Sequence, residues 1–132
     1  MIGRSMIAAL LAATTLGTPA FAATTSVFPV APAEPHAVTV KAVGDGRADD
    51  SAAIQQALDQ ARDTTGHGIV FLPSGTYRIT RSLIVPAGVR VYGVGPTRPV
   101  LLLGANTPGF QQGVSTMVIF AGGDQYQVGK VP

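Results

Sequence analysis

Short apolar runs separated by glycine and proline turns fill the second half of the chain. In order they are Ile69–Leu72, Tyr77–Ile79, Leu83–Val85, Val89–Tyr92, Val100–Leu103 and Met117–Phe120, and Val38–Val40 alternates in the same way upstream. Short strands bounded by such turns predict all-β structure, and the absence of helical patterns between them disfavours a doubly wound sheet. Two runs end in similar turns, at Pro73-Ser74-Gly75 and Pro86-Ala87-Gly88. A repeated strand-and-turn unit predicts a solenoid rather than a sandwich.

One amphipathic helix is predicted ahead of these strands, over Ser51–Arg62. Its apolar positions recur at helical spacing and are Ile54, Ala57, Leu58 and Ala61. Asp50 or Ser51 can cap the first N–H groups, and Gly66 and Gly68 lie where a helix should end. Because a solenoid needs a cover at its open end, we predict that the helix caps it.

The densest acidic cluster consists of Asp45, Asp49 and Asp50. Paired carboxylates can act as acid and base on a glycosidic bond, or bind Ca²⁺. Helix caps and glycine-flanked turns, however, select Asp for local hydrogen bonds. The preferred interpretation is therefore structural: Asp45 forms the turn between Gly44 and Gly46, while Asp49 and Asp50 cap the helix.

Other candidate chemistry is sparse. His36 and His67 have no second ligand nearby in the sequence, so we interpret both as loop residues. The arginines of the strand region are Arg78, Arg81, Arg90 and Arg98. They fit solvent-facing strand positions, or else a basic stripe that meets the carboxylates of an acidic sugar polymer. Tyr77 and Tyr92 fit half-buried strand positions better than sugar-stacking ones.

The N-terminus has the pattern of a cleaved signal peptide. Arg4 precedes an uncharged apolar run, Met6–Leu16, and Ala20-Phe21-Ala22 gives a small-x-small cleavage pattern. The run is too short for a membrane span, which needs about 20 residues. We therefore predict a signal peptide over residues 1–22, export to the periplasm or the extracellular space, and a Pro/Ala-rich linker over residues 23–37.

Composition excludes several classes of function. The 132 residues include no cysteine, so disulfides and thiolate metal sites are excluded. The formal net charge is +2, and the arginines are spread along the chain. No nucleic-acid partner is expected from so weak and dispersed a charge. No cofactor is evident either.

Three segments resemble a known family. Gly44–Leu58, Gly68–Tyr77 and Leu83–Gly95, in this order and spacing, look like the N-terminal module of pectate-lyase superfamily proteins related to polygalacturonases and rhamnogalacturonases. The resemblance implies a right-handed parallel β-helix that acts on polysaccharide or binds it, and Ca²⁺ would follow only by analogy with the family. The motif residues, which we interpret as structural, are Gly44, Asp45, Gly46, Asp49, Asp50, Pro73, Gly75, Tyr77, Gly93 and Gly95.

The chain departs from the family in one segment and stops early. Lys41-Ala42-Val43 lacks the aromatic-Gly pair that often precedes the Gly-Asp-Gly turn. The family's catalytic residues usually lie on later coils, so we interpret the chain, which ends at Pro132, as the incomplete N-terminal part of a longer β-helix with its catalytic residues unknown. Three hypotheses stay open: an exported lyase or glycosidase of acidic polysaccharide, a non-catalytic carbohydrate-binding or structural β-helix, and a fragment without function.

Overall fold

The structure, a computed structural model, describes residues 24–65, 68–113 and 115–122. Its elements are β1 (Val38–Thr39), β2 (Asp45–Asp49), α1 (Ser51–Thr65), β3 (Ile69–Pro73), β4 (Thr76–Ile79), β5 (Leu83–Val85), β6 (Arg90–Val94), β7 (Val100–Leu103) and β8 (Val118–Phe120). Within these ranges the fold is mostly β with one helix, which agrees with the all-β prediction. None of the helical structure described there is long and apolar enough to cross a bilayer.

The strands form three separate parallel sheets. The first sheet has the order β1-β3-β6, the second β2-β4-β7, and the third pairs β5 with β8. Successive strands enter the sheets in rotation, so that Ile69 pairs with Arg90 in the first sheet and Thr76 with Val100 in the second. Each pass of the chain through the sheets therefore stacks its strands in parallel on those of the pass before.

The buried core lies between the three sheets. Alternating strand positions point inward, because side chains of successive residues face opposite sides of a sheet. The inward residues are Val70 and Leu72 from the first sheet, Tyr77 and Ile79 from the second, and Leu83 and Val85 from the third. Three short sheets thus share one apolar interior.

Helix α1 covers one end of this core. The predicted apolar stripe is confirmed, since Ile54, Ala57, Leu58 and Ala61 are all buried and pack in the same cluster as the inward strand residues. The helix continues to Thr65, three residues beyond the predicted end, immediately before Gly66. A helix this short needs a tertiary partner to persist in water, and the exposed end of the core supplies one.

The segment Asp45–Asp49 corrects one prediction. It was expected to be a turn leading to a helix cap, but it forms strand β2 and pairs with β4 through Asp45–Thr76 and Asp49–Arg78. The ladder is irregular between these two pairs. The left-handed backbone of Gly44 and Gly46 bends the chain at the start of the strand. Pairing with β4 then holds these residues extended despite their preference for a turn.

The two Pro-x-Gly turns are not equivalent, contrary to the repeat read from the sequence. The turn at Ser74-Gly75 connects the first sheet to the second, whereas the turn at Ala87-Gly88 connects the third sheet to the first. The separation between stacked partners also varies, from 21 residues between Ile69 and Arg90 to 35 residues between Leu83 and Val118. The solenoid-like stacking was predicted from the wrong repeat.

Residues 24–28 lie beside the end of β6. Phe28 packs edge-on against Tyr92 with ring centroids 5.7 Å apart, and its carbonyl accepts from the N–H of Gly95. The Ser26 hydroxyl donates to the carbonyl of Gly93 at 3.2 Å. These contacts fall inside the stretch predicted to be a linker, and the domain boundary at residue 37 stays a prediction.

Candidate functional site

The acidic cluster that sequence analysis singled out lies where β2 passes into α1. Asp45, at the start of β2, accepts hydrogen bonds from the backbone N–H groups of Arg47 and Ala48 at 2.8 and 2.9 Å. These bonds favour the carboxylate and lower the pKa of Asp45. The side chain is exposed and turns back on its own backbone, which is the local role that the sequence predicted for it.

Asp49 links the start of the helix to the end of β4. Its Oδ1 accepts from the hydroxyl of Ser51 at 2.6 Å and from the Ser51 backbone N–H at 3.0 Å. Its Oδ2 accepts from the hydroxyl of Thr80 at 2.6 Å. The Ser51 hydroxyl, followed by that of Thr80, lowers the pKa of Asp49 from 3.8 to about 2. A carboxyl held this firmly ionised is unsuited to donate a proton near neutral pH.

Asp50 has a different role from the helix cap that was predicted. Its side chain is buried, with only 2% exposed, and it accepts from the backbone N–H groups of Val43 and Gly44 at 2.9 and 3.1 Å. Both donors belong to the loop before β2 rather than to the first turn of the helix. Asp50 therefore holds the loop closed across β2, because bonding a charged acceptor compensates for its burial.

The motif residues Gly44, Pro73, Gly75 and Tyr77 meet at one corner of the fold. The Tyr77 hydroxyl donates to the carbonyl of Pro73 at 2.9 Å, and the Thr76 N–H donates to the carbonyl of Gly44 at 2.8 Å. Gly44 has φ +66°, and a Cβ there would lie 3.1 Å from Cε1 of Tyr77. Burial raises the pKa of Tyr77, and the negative charge of Asp50 raises it further. A left-handed backbone pressed against an aromatic ring explains why glycine occupies this position.

Gly93 and Gly95 lie apart from that corner, at the end of β6. A Cβ on Gly93 would come within 2.7 Å of Cδ of Pro99, and Gly95 has φ +110° beside Ser74. Ser74 also bridges to Thr97, accepting its N–H at 3.0 Å. Most of the ten motif residues lie at corners or strand ends, although Gly46 and Tyr77 lie within strands. Ala20, Ala22 and His67 lie outside the described residues.

The arginines do not form one stripe. Arg78 lies on β4 beside Asp49, whereas Arg90 begins β6 in another sheet. Arg98 donates through Nε to the carbonyl of Thr25 at 3.2 Å. The strands therefore do not present one row of arginines to an acidic polymer, and the alternative of a continuous arginine stripe is wrong.

Sequence reasoning missed one residue that ties the helix to the sheets. The side-chain amide of Gln55 accepts from the N–H of Ile84 at 2.9 Å and donates to the carbonyl of Ile84 at 3.0 Å. Because Ile84 lies in β5, the amide takes the place of a neighbouring strand at that edge. A glutamine on the intermediate face of an amphipathic helix carries no distinctive sequence signal, so the pattern could not have indicated it.

The acidic cluster does not fit a catalytic pair or a metal site. Asp45, Asp49 and Asp50 are each engaged with backbone or hydroxyl donors, and no group of three metal-ligating side chains is brought together within the described ranges. Glycosidic acid–base catalysis needs one carboxyl with a raised pKa opposite another, whereas Asp45 and Asp49 both have lowered ones. The cluster acts as the joint between β2, β4 and α1.

The sequence of residues 37–129 matches a protein family described as rhamnogalacturonase A/epimerase, pectate lyase-like. The chain belongs to this family. Mannuronan C5-epimerase AlgE4 of Azotobacter vinelandii is 36% identical over 91 residues, which cover 64% of this chain and 16% of the epimerase. Alginate lyase 7 of the same organism is 41% identical over 69 residues, covering 47% of this chain and 8% of the lyase.

A solved structure is also similar. PfbA, a surface adhesin of Streptococcus pneumoniae, aligns at a TM-score of 0.48 and 29% identity over 64% of this chain and 18% of the adhesin. The chain spans only 8–18% of the length of each of these three proteins. The family resemblance predicted from the three sequence segments is confirmed.

Proposed function

We propose that this chain is the N-terminal end of an exported protein that acts on an acidic polysaccharide and is built as a right-handed parallel β-helix. The observation that carries the proposal is the 36% identity over 91 residues to mannuronan C5-epimerases, whose substrate is a uronic-acid polymer. The similarity to an alginate lyase supports the same class of polymer. Both relatives therefore favour a polyuronate over a neutral glycan.

The arrangement of the strands supports the β-helix. The chain visits the three sheets in rotation, and each later strand of a sheet stacks in parallel on an earlier strand of the same sheet. Connections between parallel strands of one sheet are right-handed in about 98% of cases. In this proposal α1 is the cap of the first coil, and the apolar end opposite the helix is where the next coil stacks.

Export is proposed from the sequence of the N-terminus. Arg4, the apolar run Met6–Leu16 and the Ala20-Phe21-Ala22 pattern together favour cleavage after Ala22 or Ala23. N-terminal sequencing of the secreted protein tests this proposal. A secreted form that still begins with Met1 would contradict it.

The acidic motif has no catalytic part in this proposal. Asp49 and Asp50 hold the first coil together, and the groups that act on the polymer lie on further coils. A non-catalytic carbohydrate-binding module is the second candidate, favoured by the engagement of every residue of the cluster in structural hydrogen bonds.

The test incubates the secreted protein with polymannuronate, polygalacturonate and a neutral β-1,3-glucan. Affinity electrophoresis measures binding, ultraviolet absorbance detects unsaturated ends, and proton NMR detects epimerised residues. We expect retardation in the two uronate gels and none in the glucan gel. Unchanged polymer is expected under both candidate functions, because the groups that act on it lie on further coils. No retardation in any gel, or equal retardation in the glucan gel, would contradict the proposed function.

A further inference from the structure

A polar groove runs between α1 and strand β1. It lies along the edge of β1 that is not paired with β3. Its volume is about 660 Å³, which falls within the range of roughly 300–1,000 Å³ common for small-molecule sites. The floor is formed by small residues, Ala53 and Ala57 of the helix and Ala37 before β1. These alanines leave open the space that longer side chains would fill.

Polar groups line the two walls of the groove. The helix contributes the side chains of Gln56 and Gln60, spaced so that both lie on the same flank. The opposite wall carries Thr39 and Lys41. Amide and hydroxyl groups can donate and accept at once, which is what the vicinal hydroxyls of a sugar require.

The charge of the groove is positive. No carboxylate is among its lining residues, and within the described ranges the carboxylates of the helix residues Asp59 and Asp63 are paired with Arg62. Lys41 is exposed and enters none of those pairs. The groove therefore presents an ammonium group beside neutral hydrogen-bonding groups, an arrangement that favours an anionic ligand.

The free edge of β1 is too short to bind an extended peptide through backbone hydrogen bonds. Phe71 of β3 bonds to Val40, so the N–H and C=O of Thr39 point away from β3 and toward the groove. A strand of two residues, Val38–Thr39, offers only this one outward pair of backbone groups. Addition of a peptide strand depends on a row of such groups, so an extended peptide is the weaker occupant.

We infer that the groove between α1 and β1 binds a short stretch of uronate oligosaccharide, with Lys41 pairing a sugar carboxylate and the amides of Gln56 and Gln60 bonding sugar hydroxyls. The inference rests on the proposed function and adds to it a binding site at the capped end of the molecule. This site lies on the helix-bearing end and is separate from the joint formed by Asp45, Asp49 and Asp50.

Calorimetric titration of the full secreted chain with oligomannuronate tests the site. Lys41→Ala should weaken binding about tenfold and flatten its dependence on salt, because a charge-assisted hydrogen bond is lost. Ala53→Gln, which fills the floor without changing charge, should weaken binding to a similar extent. Arg81→Ala removes an exposed cation elsewhere and should leave the affinity unchanged.

The outcomes separate the two proposals. Wild-type affinity in both groove variants, with thermal unfolding midpoints unchanged, would overturn the site while leaving the proposed function standing. An unmodified protein that binds no uronate oligomer would overturn both proposals. Equal affinity for a neutral oligoglucan, or displacement of the sugar by an extended peptide, would overturn the assignment of a uronate ligand to this groove.

Discussion

Replacement of Leu58 by alanine tests whether α1 closes the end of the core. The Leu58 side chain is 2% exposed and belongs to the cluster that also contains Val70 and Leu83. The substitution removes three carbon atoms from this cluster, a transfer term of about 2.4 kcal/mol at roughly 0.8 kcal/mol per buried methylene. The cavity left behind adds to this, so we expect a total loss of about 2–5 kcal/mol.

Urea unfolding of the secreted chain, followed by circular dichroism, measures this loss. Gln60→Ala is the matched control, since Gln60 is exposed on the same helix and its replacement should change the free energy of unfolding by less than about 0.5 kcal/mol. Ile54→Ala should resemble Leu58→Ala, because Ile54 is 4% exposed in the same cluster. If both core variants unfolded at the urea concentration of the control, the helix would not pack as described.

Further predictions concern the joint and the helix contacts. Asp49 has a lowered pKa, so it stabilises the fold above pH 3.8 and loses that contribution as the pH falls toward about 2; Asp49→Asn should flatten the fall in urea midpoint over this window, and an unchanged slope would contradict the hydrogen-bond assignment. Tyr77→Phe removes the bond to Pro73 and should cost about 1 kcal/mol in urea unfolding, with no loss indicating that water replaces the hydroxyl. Gln55→Ala should cost about 1–3 kcal/mol and speed hydrogen exchange of the Ile84 amide; exchange at the wild-type rate would refute the contact. Purified residues 23–132 should release no unsaturated or reducing ends from polygalacturonate, and release that Asp49→Ala or Asp50→Ala abolishes would show that a catalytic acid had been taken for a structural one.

The apolar strands could be predicted because short runs of apolar residues between glycine and proline turns indicate buried strands. The boundaries of β5 and β7, Leu83–Val85 and Val100–Leu103, agree with the runs read from the sequence. The helix was equally visible, since its stripe recurs at helical spacing over Ile54–Ala61. In these elements each local preference agrees with the fold.

The rest depended on partners distant in the sequence. Strand β2 has no apolar alternation, and only its pairing with β4 makes it a strand. The direction of the Asp50 carboxylate depends on the loop at Val43, seven residues earlier. Capping preferences favour either of two neighbouring acids at a helix start, so the sequence could not assign one to the loop and the other to Ser51 and Thr80.

The candidate ligand site was even harder to predict from the sequence. Lys41 precedes the helix by ten residues, and the groove exists only because α1 folds back against β1. The alternative of one arginine row failed because the rotation of strands among three sheets separates Arg78 from Arg90, whereas Arg81, Arg90 and Arg98 are exposed as the solvent-facing interpretation expects. Charge patterns along a solenoid can be read only once the length of each coil is known.

Affinity for polymannuronate, compared with the same polymer after chemical reduction of its carboxyl groups, tests the central claim most directly. The two polymers share their glycosidic backbone and secondary hydroxyls, and each carboxylate of the native polymer is a neutral hydroxymethyl group in the reduced one. Recognition of an acidic polysaccharide predicts saturable binding to the native polymer and a loss of about tenfold or more on reduction. Equal affinity for both polymers, or affinity for neither, would contradict it.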